Sequence, residues 1–429
     1  MAQTLKFGNG TWATKKDSIL AYSDTNENYK PLPFNYTGAG KGTRVNKEGL
    51  IEVVENDRPR IDYLDSEDGV FLLENAATNS ITYSEDFTQW TIDGQSSIVS
   101  NSIISPDGTL NATKLIAGST SARQAVTLSN LSSGNLAISV FAKKEGYSVL
   151  QFSDGRNPNS FVNFDLNNGI VGSSNGMNGD ITSLGNDWYR CVATYNSVLD
   201  MNLFRLSIAE NLTDGRLVNF SGNGTSGIYV WGAQVEAGNL SSYIPTQGGI
   251  QTRVQETASG SGNSEVFNYS EGILYVEGSL INDDGTSNNI TLGDNTFSNN
   301  RMMLLFSNGI ANRITARFDS SGSDVTLNAD GYDLTLNHKV VLKYKANDIA
   351  IWVDGFEVNS GNSFSAPTLL NRIDFYNPFN SGQDNFYGKT KEISYYDTAL
   401  TDLELETLTS YRSWLSMVKE LNLNVIYNG

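Results

Sequence analysis

Cysteine is nearly missing from this 429-residue chain. Cys191 stands alone, so no intrachain disulfide can form. Histidine is as scarce, and a Ser-His-Asp or Cys-His relay would have to use the single His338. One Cys and one His cannot build an ordinary structural zinc site. No run approaches the ~20 apolar residues of a membrane-spanning helix. The first ten residues contain no apolar stretch of the kind a secretory signal needs, so none is expected. Basic residues are the minority, 29 Lys and Arg against 47 Asp and Glu, for a net charge of -18. Without a basic patch, nucleic-acid binding and docking on an anionic membrane are disfavoured, and the plain effect of the acidity is solubility. No Gly-x-Gly-x-x-Gly or Walker-type loop opens a helix.

What is present points to strands. Hydrophobic residues make up 39%, enough for real cores, and the length suits two or three domains. Gly is high at 40 residues and Pro low at 8, a mix that suits short strands and tight turns. Residues 81–247 alternate with period two. Leu136, Ile138 and Val140 oppose Ala137, Ser139 and Phe141, and Val162, Phe164 and Leu166 run into the turn Asn167-Asn168-Gly169. Residues 248–264, with Ser259-Gly260-Ser261-Gly262, read as a linker. A second β region covers 265–400. There Ile273, Tyr275 and Glu277 alternate with Leu274 and Val276, and Asp354-Gly355 marks a hairpin. In 401–429, Thr401 and Glu404 fit a capping box, and Leu408, Tyr411, Leu415 and Val418 follow at helical spacing. That helix is expected to lie on the last sandwich, with a trimerising role as the sharper alternative. Residues 1–80 show few alternating runs and are expected to be an extended attachment segment. The expected fold is all-β: two antiparallel β-sandwich (jelly-roll) domains in tandem, an irregular N-terminal segment and a short C-terminal helix.

Several motifs carry a resemblance. Gly42-Thr43-Arg44-Val45-Asn46-Lys47-Glu48-Gly49-Leu50 and Pro59-Arg60-Ile61-Asp62-Tyr63-Leu64 are followed by Leu72-Leu73-Glu74 and Asn79. Then come Ser84-Glu85-Asp86-Phe87-Thr88-Gln89-Trp90 and Ser105-Pro106-Asp107-Gly108-Thr109. Val230-Trp231-Gly232-Ala233-Gln234-Val235-Glu236 and Ser242-Tyr243-Ile244-Pro245-Thr246 close the region. In order and spacing these resemble bacteriophage fibre- or spike-type structural proteins with a carbohydrate-binding-module-like jelly roll. Ala350-Ile351-Trp352-Val353-Asp354-Gly355, Lys391-Glu392-Ile393-Ser394-Tyr395-Tyr396 and Asp397 to Leu405 resemble concanavalin A-like, laminin-G-like lectin domains. The Glu-x-Asp-x-x-Glu pattern of concanavalin-like glucanases is absent.

Residues for chemistry are few. His338 is expected at the surface and Cys191 as a buried, inert thiol. Trp90 and Trp231 are expected in cores. Loop aromatics beside amides are the better sugar-binding candidates: Tyr376, Asn377, Phe379 and Asn380, with Tyr387 nearby. A packed loop is the plainer reading of the same residues. Asp283 and Asp284 offer oxygen ligands for a structural calcium ion, though an ordinary turn explains them as well. No other cofactor is expected.

The resemblance implies a non-enzymatic protein of the virion surface, on tail or head, made in the host cytoplasm and released by lysis. Its expected partners are host-surface glycans and, through the N-terminal segment, other virion proteins. A homo-oligomer, a trimer, would let several weak sites act together. A capsid decoration or tail-scaffold protein is the alternative. A polysaccharide depolymerase is a third, and it would need acidic side chains converging in a cleft.

Overall fold

The computed structural model describes residues 3–423 apart from 39, 130, 132–133, 156, 158, 198–202, 295–299, 321–322 and 378–383. The chain forms two compact units, both discontinuous in sequence. One, here the terminal unit, is Met1–Gly40, Glu55–Asn75 and Gln255–Gly429; the other, the inserted unit, is Lys41–Val54 and Ala76–Val254. Each is an antiparallel β-sandwich. No helix among the described residues is long and apolar enough to cross a membrane.

The inserted unit packs two six-stranded sheets. One runs Thr91–Gly94, Gln124–Ser129, Leu203–Ala209, Val149–Asp154, Phe161–Asp165, Ile170–Asn175. The other runs Ser97–Ile104, Leu110–Ile116, Gly227–Ala237, Gly134–Glu145, Trp188–Ser197, Asn178–Gly185. The expected alternation is realised: Leu136, Ile138 and Val140 enter the core with Val162, Phe164 and Leu206. The opposite residues Ala137, Ser139 and Phe141 are buried as well. A strap covers them. Tyr243 packs at 4.9 Å from Trp231 and 5.7 Å from Phe141. Asn79 pins the strap with its whole amide, donating to Ala233 and Ile244 carbonyls and accepting from the Ile81 and Val235 amides. Trp90 and Trp231 are core residues, 4% and 1% exposed.

Cys191 is buried in the same core, and burial pushes its thiol well above the ordinary range. The thiolate is the reactive form. A thiol reagent is therefore expected to label the native protein negligibly and the denatured protein fully; rapid native labelling would contradict this placement.

The terminal unit packs a twelve-stranded sheet on a five-stranded one. The order in the larger sheet is Thr257–Ser259, Asn28–Thr37, Ser18–Ser23, Leu5–Gly8, Gly388–Tyr396, Glu271–Leu280, His338–Lys345, Ile349–Val353, Phe356–Gly361. The smaller sheet is Ser323–Asp330, Arg313–Ser320, Asn300–Phe306, Asn288–Gly293, Arg372–Asp374. Leu5, Phe7, Phe34, Leu274, Val276, Leu342 and Ile393 meet Ile290, Leu304, Ile314 and Phe318 in one core. The Asp354-Gly355 hairpin forms as read, with both φ angles positive (51° and 93°), as a tight two-residue turn requires.

Three expectations on organisation change. Residues 1–80 are not an irregular segment but carry nine strands among the described residues. Leu5–Gly8 pairs with Gly388–Tyr396, from Leu5↔Tyr395 to Gly8↔Glu392. Such distant pairing leaves no local trace, and Pro31 and Pro33 break the pattern of Asn28–Thr37. The register shift between Ile19↔Phe34 and Ala21↔Lys30 sets both prolines off the ladder. Residues 248–264 are not a free linker: Gln251–Arg253 pairs with Ala77–Asn79, and Thr257–Ser259 with Asn28–Thr37. The C-terminal helix is two, α1 (Asp402–Thr409) and α2 (Trp414–Glu420). The Thr401 amide donates to Glu404 at 2.9 Å, as the capping box requires. Leu405 of α1 packs on Ile273, Val341, Trp352 and Tyr396, outside the large sheet.

Candidate functional site: a polar groove on the terminal unit

The outer face of the twelve-stranded sheet changes character along its strands. On Glu271–Leu280 the outward residues are Ile273, Tyr275 and Glu277 in turn. At the Ile273 end the face is apolar and sealed by α1. At the Glu277 end it is charged, and it forms the floor of a groove of about 550 Å³. The walls come from Lys6 and Asn9 on one side and from the segment of Thr407, Ser410, Arg412 and Glu420 on the other. A neighbouring hollow of about 860 Å³ shares Asp68, Lys391 and Glu420 with it.

Strand register builds the floor. Glu277 lies opposite Lys339 on one neighbouring strand and opposite Glu392 on the other. Between the pairs Glu277↔Glu392 and Gly278↔Thr390 the register shifts, and Lys391 is the extra residue. Such a bulge turns a side chain that strict alternation would hide. Lys391 Nζ accordingly reaches Glu277 at 2.8 Å. The Tyr275 hydroxyl donates to Glu277 at 2.9 Å, and Glu392 accepts from Gln3 at 2.9 Å and from Ser394 at 2.6 Å. Lys339 Nζ donates to the Ser410 carbonyl at 3.0 Å, tying the floor to the helical wall.

Glu277 and Glu392 are each only 4% exposed, yet they titrate in opposite directions. Burial works to raise Glu277, but Lys391 and then Lys339 outweigh it and hold the carboxyl below its usual range. Burial dominates at Glu392 and pushes its carboxyl up. Burial also works to lower Lys391, but Glu277 beside it raises it, so the ammonium keeps its proton. Burial raises the Tyr275 phenol well above its ordinary range, so it stays a donor. The groove thus presents two carboxyl groups in different electrostatic settings, an ammonium and a phenol, groups that exchange hydrogen bonds with hydroxyls.

The residues singled out in the sequence lie elsewhere in this unit. Tyr376 and Asn377 are half-buried beside the five-stranded sheet. The Tyr376 hydroxyl accepts from Arg372 at 3.0 Å, and the Asn377 amide donates to Asp384 at 3.3 Å. Tyr387, also half-buried, accepts from Asn385 at 3.0 Å, and Asn385 bridges to Tyr376 through the backbone. These three are therefore neighbours engaged in loop contacts; Phe379 and Asn380 lie outside the described residues. Asp283 and Asp284 serve turns: Asp283 accepts from Ser307 and from the Asn312 amide, Asp284 from the Thr286 amide at 2.9 Å. Among the described residues no group of three or more His, Cys, Asp or Glu could hold a metal ion.

His338 is not at the surface. It is 5% exposed and bonds Asp354 at 2.6 Å and the Asp333 carbonyl at 2.9 Å. Burial works to lower its pKa, but the Asp354 bond and charge raise it above the ordinary 6.5. The folded state therefore binds this proton more tightly. Its stabilisation is complete below the unfolded value and is lost as pH rises through the folded value. Denaturation midpoints are expected to fall from about pH 6 upward. His338→Gln should flatten that slope, and an unchanged slope would assign it to other groups.

The groove residues Tyr275, Glu277, Lys391 and Glu392 were in view as strand pattern only. One signal could have marked them: Glu277, a glutamate that follows Ile273 and Tyr275 on the same face of one strand.

No protein-family model matches the chain, and no curated protein is significantly similar to it in sequence. Matches among solved structures include the Ruminococcus gnavus IT-sialidase CBM40 bound to α2,3 sialyllactose, at a TM-score of 0.30 and 14% identity over 35% of this chain and 94% of that one. A putative carbohydrate binding protein from Bacteroides ovatus matches at 0.27 and 11%, over 68% and 80%. Mouse laminin α1 domains LG4-5 match at 0.25 and 10%, over 66% and 92%.

Proposed function

We propose that this chain is a non-enzymatic, glycan-binding protein of a bacteriophage virion surface, a tail or head fibre or spike that attaches to host-surface glycans. One observation carries the binding half of this reading. The outer face of the large sheet, apolar and sealed at one end, is charged and open at the other. Burying Glu277 and Glu392 costs free energy that an apolar floor would avoid. A ligand rich in hydroxyls gives those groups a use. The motif resemblance at residues 42–109 and 230–246 supports the virion half. Weak single sites are proposed to act together in a homo-oligomer, a trimer. With Leu5–Gly8 through Asn28–Thr37 built into a sheet, attachment to other virion proteins uses a folded surface. No metal or other cofactor is part of the proposal.

A depolymerase is the second reading, and one observation favours it. Glu277 and Glu392 face each other across two strands, one carboxyl held low and the other high. A glycosidase divides base and acid between two such groups. The full-length chain incubated with intact host cells and with a glycan array, with product analysis alongside, separates the readings. Saturable binding without released oligosaccharide is expected. Released product would replace the receptor reading with the depolymerase, and no binding at all would favour a scaffold role.

A further inference from the structure

We propose that the inserted unit binds a tetrahedral oxyanion, a phosphate or sulfate group, between the guanidinium groups of Arg123, Arg205 and Arg216. The inference is independent of the glycan reading: the ligand is of another chemical class, and the residues belong to the other unit.

The sheet that starts at Thr91–Gly94 turns a polar face outward. Asp93, Ala125, Ser207, Gln151 and Asn163 lie side by side across it in register. Their neighbours Val126, Leu206, Phe152 and Phe164 point the other way, into the core. Arg205 stands on the outward face opposite Thr127 and Ser153. The Asp93 carboxylate joins two cations there, accepting from Arg123 Nε at 2.5 Å and from Arg205 Nε at 2.6 Å.

A loop, residues 210–220, crosses this face and delivers the third arginine. Two buried amides hold it. Asn163, 0% exposed, donates to the Leu212 and Asp214 carbonyls at 3.1 and 2.7 Å. Gln151 donates to the Gly215 carbonyl at 3.0 Å and accepts from the Leu217 amide at 2.8 Å, so it grips both neighbours of Arg216. Leu217 has φ +53°, a strained value for a bulky side chain. Strain of this kind gathers where a residue must be presented.

Arg216 is held where it has no counter-ion. Its Nε donates to the Asp154 carbonyl at 3.2 Å and its Nη2 to the same oxygen, and it forms no ion pair among the described residues. Asp154 lies opposite Phe204, next to Arg205, so the segments that carry the two guanidinium groups adjoin. Burial and then the charge of Arg205 lower the Arg216 pKa, Arg123 adds to this, and Asp154 does not make up the difference. The Asp154 carboxylate also serves the Tyr195 hydroxyl, which donates to it at 2.8 Å. Three cations thus meet two carboxylates, in a chain whose net charge is -18. An anion between the arginines would replace their repulsion with charge-assisted hydrogen bonds.

The number and origin of the guanidinium groups select the shape of the ligand. One stands before the strand Gln124–Ser129, one within Leu203–Ala209 and one on the loop. A carboxylate has two oxygens, and Asp93 already spends both of its own on two of these arginines. A phosphate or sulfate offers an oxygen to each of the three. Access is open, because the Arg123 side chain is 46% exposed and Arg216 is only half-buried.

The test titrates the full-length chain calorimetrically with sodium phosphate, sulfate and acetate, and follows its melting against sodium chloride at equal ionic strength. Saturable binding of phosphate or sulfate is expected, with acetate at least tenfold weaker. The midpoint of the inserted unit should rise in phosphate, because a ligand of the folded state stabilises it. Arg216→Gln and Arg123→Gln should each weaken phosphate binding at least tenfold. Arg123→Gln leaves Asp93 its bond to Arg205, so it carries the test if Arg216→Gln fails to fold. Phenyl phosphate alongside tells the two sources apart. Tighter binding than inorganic phosphate assigns the site to a group carried on a larger molecule, weaker binding to the free ion, and both uphold it. Equal midpoints in phosphate and chloride would overturn the site. So would acetate bound as well as phosphate, phosphate binding that survives both substitutions, or an Arg216→Gln midpoint lowered equally in both salts.

Discussion

Deleting residues 1–37 is expected to unfold the terminal unit. The segment contributes four strands, and Leu5–Gly8 lies between Ser18–Ser23 and Gly388–Tyr396 within the large sheet. Its loss removes Leu5, Phe7, Ile19, Phe34 and Tyr36 from the core. At about 1.5–3 kcal/mol for each large apolar side chain, the loss is roughly 10 kcal/mol. Whole domains are stable by about 5–15 kcal/mol. The deletion also bares Glu392–Tyr395 as an unpaired edge, so aggregation should follow. Hydrogen exchange would report it. Protection over Glu271–Leu280 and Gly388–Tyr396 should vanish in the deleted chain. If it persisted, the N-terminal residues would be an appendage after all.

Arg60→Met is expected to be the most damaging single substitution. Arg60 is 1% exposed and lies between two carboxylates, 2.7 Å from Glu74, with its Nε donating to Glu256 at 2.7 Å. Tyr36 adds its hydroxyl to Glu256 at 2.6 Å, and the Glu74 amide donates to the same carboxylate at 2.9 Å. Burial works to lower the Arg60 pKa, but Glu256 and Glu74 raise it, so the guanidinium stays charged. Removing it strands two buried carboxylates. Breaking a buried pair typically costs about 3–5 kcal/mol. At roughly 2–4 °C per kcal/mol for a domain of this size, the unit should melt about 6–20 °C lower. The triple variant Arg60→Met, Glu74→Gln, Glu256→Gln should recover part of the loss, because no unpaired charge remains. A single variant melting within a degree or two of wild type would show that the cluster is well solvated instead.

Strand character was legible wherever alternation is local. Leu136 to Val140, Ile273 to Val276 and the Asp354-Gly355 turn all form as their pattern implies. What could not be read is what depends on partners far away. Leu5 and Phe7 are two apolar residues in a polar stretch until Tyr395 and Ile393 pair with them. The three-residue strand Gln251–Arg253 has no signal apart from Asn79 opposite it. The candidate site failed to show for the same reason. Glu277, Lys391 and Glu392 become neighbours only through a bulge, which composition does not encode. The loop aromatics were chosen for their chemistry, and the structure spends Tyr376 and Asn377 on Arg372 and Asp384. His338 misled because a polar flank suggests a turn, whereas Asp354 and Asp333 draw the ring inside.

The most direct measurement is the affinity of the full-length chain for intact host cells, with Lys391→Met and the rim variant Lys6→Ala beside it. Lys391 supplies the ammonium of the groove floor, and Lys6 stands at its wall. A loss of at least tenfold with Lys391→Met is expected, about 1.4 kcal/mol or more. Lys6→Ala should give a smaller loss, with melting temperature unchanged. Wild-type affinity in both variants, with both folded, would contradict the assignment of this groove as the glycan site.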